Sequence, residues 1–222
     1  MQPPRRGEAW STATISRDPG SDVEVACWHG NLLAEAMPSV SSWPTRRVIA
    51  RSGSLAEGGD PFAEDLRNWM PTGRRALEEV CDRLVGPLVD SGRSLLLRPH
   101  ARQVLSDVAG AADFLRRHRG ERFGIALAPA DLVAPSMLRT AEDLLVRTFE
   151  MLVPRLDPER DVLVLEDLSP SPDADGLPVP RPLGQGVLPW SVCGRFATSI
   201  PAGLLVLLDP ATEPEATSFL AG

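Results

Sequence analysis

Two arginines stand at the ends of short apolar runs, where they could bind an anion. Arg51 lies near the end of the run RVIARS (47–52), and Arg98 near the end of SLLLRP (94–99). A guanidinium group presents its N–H donors as a planar fork, so two of them at neighbouring strand ends would form a pocket for a phosphate or a carboxylate. The alternative is a salt-bridge network in which both arginines pair with acids of the chain, namely Asp131, Glu166 or Asp167.

A histidine follows the second arginine by two residues. His100 could move a proton, because an imidazole changes its charge close to neutral pH. Asp167 is the second candidate for this role. The alternative for a single histidine just beyond a strand is a structural hydrogen bond. The candidate catalytic residues are therefore His100 and Asp167, and the candidate substrate-binding residues are Arg51 and Arg98.

Further carboxylates follow the later apolar runs. Asp131, Asp167 and Asp209 are the candidates for the remnant of a divalent-metal site, to which His100 could add an imidazole. The alternative is that these acids cap the elements that follow and accept backbone N–H bonds, as the segments PADL and DPAT indicate. We expect no metal to be bound, and Mn, Mg, Zn or Co only if the remnant site still works.

The cysteines predict no metal or disulfide framework. Cys27, Cys81 and Cys193 are odd in number and far apart, and no CxxC occurs, which fits a reducing cytoplasm. Cys27 and His29 share a face of one predicted strand, but no third group that would orient them is evident. We therefore expect this pair to be packing residues.

Elements that could position these side chains alternate along the chain. Helical patterns begin near Thr72, Ser106 and Ser136. Thr72 and Ser106 could cap the first two, and Pro87 should end or kink the first. The apolar runs between them are rich in Val, Ile and Leu, as strands buried on both faces are. These runs are VEVACW (23–28), RVIARS (47–52), SLLLRP (94–99), FGIALA (123–128), DVLVLED (161–167) and GLLVLLD (203–209).

Strand and helix in alternation predict an α/β fold with a parallel sheet, either a closed (β/α) barrel or an open doubly wound sheet. No GxGxxG follows a strand and no P-loop occurs, so the usual cofactor motifs of the open sheet are missing. A further strand is possible at 10–16. We expect a flexible segment over 1–21 and one domain over 22–222, in which the first unit of a barrel is reduced or missing.

The segment RPLGQGVLPW (181–190) carries the most specific resemblance. Together with VLVLEDL before it, it resembles the Val-His-Leu-Lys-Asp strand and the Pro-Leu-Gly-Glu-Gly-x-x-x-Trp segment of the xylose isomerase-like barrels, a family that includes sugar phosphate isomerases and epimerases. The stretches SLLLRPHARQVLSDVAGAADFL and FGIALAPADL resemble the family's Leu-x-Leu-Glu-x-His and Leu-Asp-x-x-His strands. The resemblance covers about residues 46 to 209, and it implies a TIM-type barrel.

In that family, Glu, Asp and His ligands at the strand ends hold a divalent metal. Two of the family's residues are kept here, as His100 and Asp167. The other positions are substituted: the family's residues there fall on Arg51, Arg98, Ala128, Asp131, Val164, Glu166 and Leu208, with Asp209 beside the last. An arginine in place of a ligating carboxylate puts a permanent positive charge where a dication would sit. The resemblance therefore implies the fold together with a degenerate metal site.

Composition excludes several classes of function. The net charge is −7, and no basic run is present, so we expect no nucleic acid and no membrane among the partners. All the basic residues counted as Lys and Arg are arginine, which removes Schiff-base and P-loop lysine chemistry. No signal peptide or apolar run of membrane-spanning length is evident, so we expect a cytoplasmic protein.

Two functions follow from these observations. The first is a divergent sugar phosphate isomerase or epimerase with a largely lost divalent-metal site, acting on a sugar phosphate. The alternative is a non-catalytic barrel protein that binds a small anionic metabolite or a protein partner. A nuclease of the endonuclease IV type is a third possibility, which the acidic charge and the three histidines disfavour.

Overall fold

The computed structural model describes residues 10–16, 22–173, 176–209, 211–212 and 217. These residues divide into two compact units, Gln2–Ala126 and Leu127–Gly222. The segment that we expected to be flexible, 1–21, lies partly outside the described residues. Its described part, 10–16, forms a strand. The expectation of a single domain over 22–222 stays a prediction.

Parallel strands form the centre of the N-terminal unit. Strand β2 (Asp22–Trp28) pairs with β3 (Arg47–Arg51), β3 with β4 (Ser94–Arg98), and β4 with β5 (Phe123–Leu127), all in parallel. Their apolar side chains are buried on both faces of the sheet, as the continuous apolar runs predicted. Strand β1 (Trp10–Ser16) pairs antiparallel with β2.

The first helix corrects two expectations. Helix α1 (Pro71–Ser91) begins at a proline in its first turn, with Met70 and not Thr72 in the capping position. It also continues through Pro87 to Ser91. Pro87 lies on the exposed side of the helix. Since proline has no N–H group, the carbonyl group four residues earlier receives no hydrogen bond from it, and water can bind there instead.

A short helix separates β4 from β5. Helix α2 (Val108–Arg117) begins one residue later than predicted, because the side chain of Asp107, and not that of Ser106, accepts a hydrogen bond from Gly110 N at 2.7 Å. Its buried side, formed by Val108, Ala111 and Phe114, packs into the core. Arg116 and Arg117 in the last turn complement the negative end of the helix dipole.

The C-terminal unit contains two parallel strands, β6 (Val162–Leu165) and β9 (Leu205–Leu208). Helix α3 (Ala141–Met151) precedes β6, and a 3-10 helix spans Trp190–Ser199 before β9. The helix expected from Ser136 begins later, since Pro135–Thr140 is a 3-10 turn.

Phe149 of α3 packs edge-on against Trp190, with 6.3 Å between the ring centroids. Two short strands, β7 (Asp167–Leu168) and β8 (Pro180–Arg181), pair antiparallel between β6 and that 3-10 helix. No helix in the described part of the chain is long and apolar enough to cross a bilayer.

The chain has an α/β fold of the incomplete (β/α) barrel type, in agreement with the prediction of a barrel whose first unit is reduced or missing. Within the N-terminal unit the parallel strands follow one another in chain order, as consecutive (β/α) units of a barrel do. The strand that precedes β2 pairs with it antiparallel, which a helical crossover would not produce. The carboxyl ends of β3 and β4 therefore meet at one edge, and the predicted arginines lie there.

Candidate functional site

Arg51 and Arg98 are register partners at the carboxyl ends of β3 and β4. Partners on adjacent parallel strands project their side chains to the same face of the sheet, and the two strands are ~4.8 Å apart. Arg98 is 7% exposed and Arg51 is half-buried. The structure therefore brings the two guanidinium-bearing residues together, in a place where one of them is largely out of water.

Phe62 joins Arg51 to His100. The Cζ atom of Arg51 lies over the Phe62 ring, 4.8 Å from its centroid. The His100 ring meets the same phenyl ring edge-on, with 5.1 Å between centroids and an interplanar angle of 76°. An aromatic face attracts a cation, so Phe62 favours one position of the guanidinium group, and the same ring also contacts the imidazole. No sequence pattern indicates this role, because Phe62 lies in a loop eleven residues after Arg51.

His100 is buried and held by its own loop. Its backbone N–H donates to Leu105 O at 2.9 Å, and its carbonyl accepts from Gln103 N at 2.8 Å. Its Nδ1 atom accepts a hydrogen bond from the backbone N–H of Arg102 at 3.2 Å. The imidazole is therefore fixed in orientation, with 7% of the residue exposed.

Buried polar side chains connect the loops that follow β2, β3 and β4. Asn31, Ser54 and Asn68 are each fully buried. Asn31 Nδ2 donates to Ser54 O at 2.9 Å, and Asn68 Nδ2 donates to Ser54 Oγ at 2.8 Å and to Arg102 O at 2.9 Å. Fully bonded buried amides hold a loop in one conformation. Sequence reasoning missed them, because a buried Asn in a loop has no pattern that separates it from an exposed one.

Gln103 makes a second connection between the same loops. Its Nε2 donates to Pro61 O at 3.0 Å, and its Oε1 accepts from Ser52 Oγ at 3.3 Å. Ser52 Oγ in turn accepts from Leu105 N at 3.2 Å. Pro61 precedes Phe62, so these bonds also set the position of the phenyl ring.

Asp167, the second candidate catalytic residue, organises its own loop in the C-terminal unit. Its Oδ1 accepts from Leu188 N at 2.9 Å and from Leu168 N at 2.8 Å, and its Oδ2 accepts from Gly184 N at 3.2 Å. The residue is 1% exposed. A carboxylate with this many backbone donors anchors the segment 181–190. Its role in proton transfer stays a prediction.

Two positions of the segment 181–190 require glycine for different reasons. Gly184 has φ +85°, a conformation that side chains with a Cβ disfavour. A Cβ on Gly186 would come closer than 3.0 Å to Asp167 Oδ1 and to Leu168 O. The segment therefore lies against β7 so closely that only glycine fits.

Asp131 and Asp209 are the other carboxylates that the sequence indicates as remnant metal ligands. The backbone N–H of Asp131 closes a 3-10 turn onto Ala128 O at 3.1 Å, and Asp209 Oδ1 accepts from Ala211 N at 2.8 Å. Among the described residues, no three His, Cys, Asp or Glu side chains are grouped as a metal ion requires. The candidate ligands Asp131, Asp167 and Asp209 are thus not part of such a group within the described part of the chain.

Two thiols have high pKa values. Desolvation raises the pKa of Cys81 to about 12, with nearby Glu78 adding to the rise, and desolvation raises the pKa of Cys193 to about 12. Cys27 is also buried, at the end of β2. Neither Cys81 nor Cys193 is a thiolate at neutral pH, so neither is a candidate nucleophile.

We expect Cys81 and Cys193 to resist alkylation at pH 7.5, since the thiolate is the reacting form and both groups are buried. Native protein treated with iodoacetamide, digested and analysed by mass spectrometry should carry little label at either residue, and protein in 6 M urea should carry label at both. Rapid labelling of either thiol in the native protein would contradict the prediction.

Among known proteins, only solved structures are similar to this chain, and the similarity is one of structure. No family model and no curated protein matches the chain. The solved structures that it resembles include a xylose isomerase domain protein from Planctomyces limnophilus, with 15% identity, a TM-score of 0.47, and 82% of this chain and 56% of that chain covered. A xylose isomerase-like TIM barrel protein from Mycobacterium smegmatis in complex with magnesium has 13% identity, a TM-score of 0.45, and coverages of 82% and 62%.

A third solved structure is 3-keto-D-glucoside 4-epimerase from E. coli, with 10% identity, a TM-score of 0.47, and coverages of 89% and 75%. The chain thus spans less than two thirds of the length of the first two proteins and three quarters of the third. The family that the sequence resembles is among these structural neighbours. At such identities their activities are properties of those proteins alone.

Proposed function

We propose that this protein binds a small anionic metabolite, of the sugar phosphate class, at the carboxyl ends of β3 and β4. The observation that carries the proposal is the register pairing of Arg51 with Arg98. Two guanidinium groups on adjacent strands repel each other unless negative charge lies beside them. A phosphate supplies that charge and accepts the forked donors of both groups.

Burial strengthens this interaction. Arg98 is largely removed from water. Solvent therefore weakens an ionic hydrogen bond to this residue less than one at the surface. A guanidinium has five N–H donors, more than a single carboxylate can accept, so binding an anion is compatible with an ion pair inside the protein. The alternative in which Asp131, Glu166 or Asp167 supplies all the compensating charge stays a prediction.

Titration calorimetry tests the proposal with inorganic phosphate, glucose 6-phosphate and glucose. We expect both phosphates to bind and glucose to bind much more weakly. Arg98→Gln and Arg51→Gln should each weaken phosphate binding at least ~10-fold, equivalent to ~1.4 kcal/mol, and the affinity should fall as salt is added. Arg75→Gln, on the exposed side of α1, is the matched control. Equal affinity of all four proteins, or no phosphate binding, would overturn the proposal.

Isomerisation or epimerisation of the bound sugar phosphate is the second candidate function. Phe62 favours it, because its ring contacts both Arg51 and His100, so that the imidazole could act on a substrate bound by the arginine. The test is turnover of aldose and ketose phosphates with and without Mn. Loss of turnover in His100→Ala would support catalysis, and absence of turnover in both buffers would favour the non-catalytic binder. An added metal that raises the melting temperature by several degrees would show that a metal site still works.

A further inference from the structure

We infer that His118, Glu78 and Glu121 form a pH-sensitive clamp that fastens helix α1 to the end of helix α2. His118 is the residue at which α2 ends, and Glu78 lies in α1. Glu121 lies in the turn before β5, where its backbone N–H donates to His118 O at 3.1 Å. These three residues, the His118 clamp, lie at the amino end of β5. The clamp is therefore separate from the proposed anion site, which lies at the carboxyl ends of β3 and β4.

Both ring nitrogens of His118 lie beside a carboxylate. Nδ1 is 2.6 Å from Glu121 Oε2, and Nε2 is 3.1 Å from Glu78 Oε2. An ionised carboxylate can only accept a hydrogen bond, so Nδ1 carries a proton. In a neutral imidazole the lone pair of Nε2 would then face the negative charge of Glu78. A proton on Nε2 replaces this repulsion with an ion pair, so the geometry fits the imidazolium form.

The position of His118 in the fold also favours a positive charge. Its backbone N–H donates to Phe114 O at 3.0 Å, at the carboxyl end of α2, where the helix dipole favours a cation. The ring packs against Phe114 and Phe123, with centroid distances of 4.3 and 5.3 Å, and the residue is 7% exposed. Burial alone would favour the neutral ring, but two carboxylates act on it at contact distance with little screening by water.

The charged neighbours of the clamp form pairs of their own. Arg117 contacts the other carboxylate oxygen of Glu78, and its Nε lies 3.0 Å from Asp113 Oδ2. Asp113 also pairs with Arg116, at 2.7 Å. Further charged side chains of α1 and of the turn are exposed to solvent, namely Asp82, Arg119 and Arg122.

A thiol of α1 lies near the same two glutamates and does not titrate with the clamp. Desolvation raises the pKa of Cys81 to about 12, and Glu78 and Glu121 add to the rise. The thiol therefore stays neutral over the range in which an imidazole changes its charge, and the neighbouring carboxylates and guanidinium groups stay ionised there. His118 thus gains or loses a proton near neutral pH while these neighbours do not.

Proton uptake by the clamp couples the stability of the fold to pH. In the folded protein His118 lies between two carboxylates, whereas in the unfolded chain the imidazole is surrounded by water. The folded state therefore binds this proton more readily, and its stability falls as the pH rises through the range in which an imidazole loses its proton. At higher pH the attraction between Nε2 and Glu78 is lost, and the clamp loosens.

Urea denaturation between about pH 5.5 and about pH 8.5 tests the clamp in the wild type, His118→Gln and Glu121→Gln. Glutamine keeps an amide at position 118 but cannot take up the proton. We expect the urea midpoint of the wild type to exceed that of His118→Gln by a margin that shrinks by ~0.5 M or more as the pH rises. The margin over Glu121→Gln should shrink in the same direction.

Glu79→Gln is the matched control, because Glu79 follows Glu78 in α1 and is exposed to solvent. Its urea midpoint should differ from that of the wild type by the same amount at each pH. A margin between the wild type and His118→Gln that stays constant over this pH range would overturn the inference.

Long-range ¹H–¹⁵N spectra of the wild type give a readout that does not depend on whether a variant folds. The chain has three histidines, so the spectra of His29→Gln and His100→Gln identify the His118 signals by elimination. At about pH 7, where a free imidazole is mostly neutral, both ring nitrogens of His118 should carry a proton. A single protonated nitrogen at this pH would overturn the inference.

Discussion

Asp167→Ala is expected to lower the free energy of unfolding by about 3 kcal/mol or more, because it removes the acceptor of several backbone N–H groups at once. Leu168 N and Leu188 N both donate to this carboxylate in buried hydrogen bonds. Each buried donor left without a partner costs about 1–3 kcal/mol. Urea denaturation followed by circular dichroism measures the change, as a lower midpoint at an unchanged slope.

Two variants make this expectation specific. Asp167→Asn keeps one oxygen acceptor and should cost less than the alanine substitution. Asp173→Ala is the matched control, because Asp173 also accepts a backbone hydrogen bond, from Leu177 N at 2.8 Å, but is exposed to water. We expect it to change stability by less than ~1 kcal/mol. Similar losses of unfolding free energy for Asp167→Ala and Asp173→Ala would show that the hydrogen bonds accepted by Asp167 contribute little to stability.

The same variants separate structure from catalysis. If Asp167 only anchors the segment 181–190, turnover should follow the folded fraction of each variant. If it moves a proton, Asp167→Asn should abolish turnover under conditions in which the protein is fully folded. The comparison requires a substrate found in the sugar phosphate panel.

The strands of this protein could be predicted from its sequence because their signal is local. A continuous apolar run such as FGIALA needs burial on both faces, and β5 forms there. The runs RVIARS and SLLLRP likewise place Arg51 and Arg98 at the ends of neighbouring parallel strands, where they are register partners. Helix boundaries were harder: Pro87 was expected to end or kink α1, but the helix continues to Ser91 with Pro87 on its exposed side.

The contacts that hold the site together could not be predicted in the same way. Phe62 meets Arg51 and His100 only after two loops have folded against each other, and the amide of Asn68 reaches partners 14 and 34 residues away. Such contacts depend on loop geometry that no periodicity encodes. The structural role of Asp167 could not be predicted for the same reason. The backbone N–H groups that donate to it, those of Gly184 and Leu188, belong to a later loop.

Gly186→Ala is the second substitution for which we expect a large effect, a loss of about 3 kcal/mol. The added methyl group would overlap Asp167 Oδ1 and Leu168 O. Leu168 O cannot move away freely, since it accepts a hydrogen bond from Val187 N at 3.0 Å. Forcing an atom into such a contact shifts backbone, at a cost of 1–3 kcal/mol or more. Urea denaturation midpoints measure the effect.

Gly110→Ala is the control for this substitution. A Cβ on Gly110, in helix α2, would lie 3.5 Å from Asp107 Oδ1, an ordinary contact. Alanine favours the helix by about 0.5–1 kcal/mol over glycine, so the control should be neutral or more stable. In the double variant Asp167→Ala/Gly186→Ala, removal of the carboxylate relieves one overlap but leaves the one with Leu168 O. The combined loss should therefore be smaller than the sum of the two single losses, yet larger than that of Asp167→Ala alone. Strict additivity would mean that the glycine and the carboxylate act at separate places, contrary to the close packing of this segment on β7.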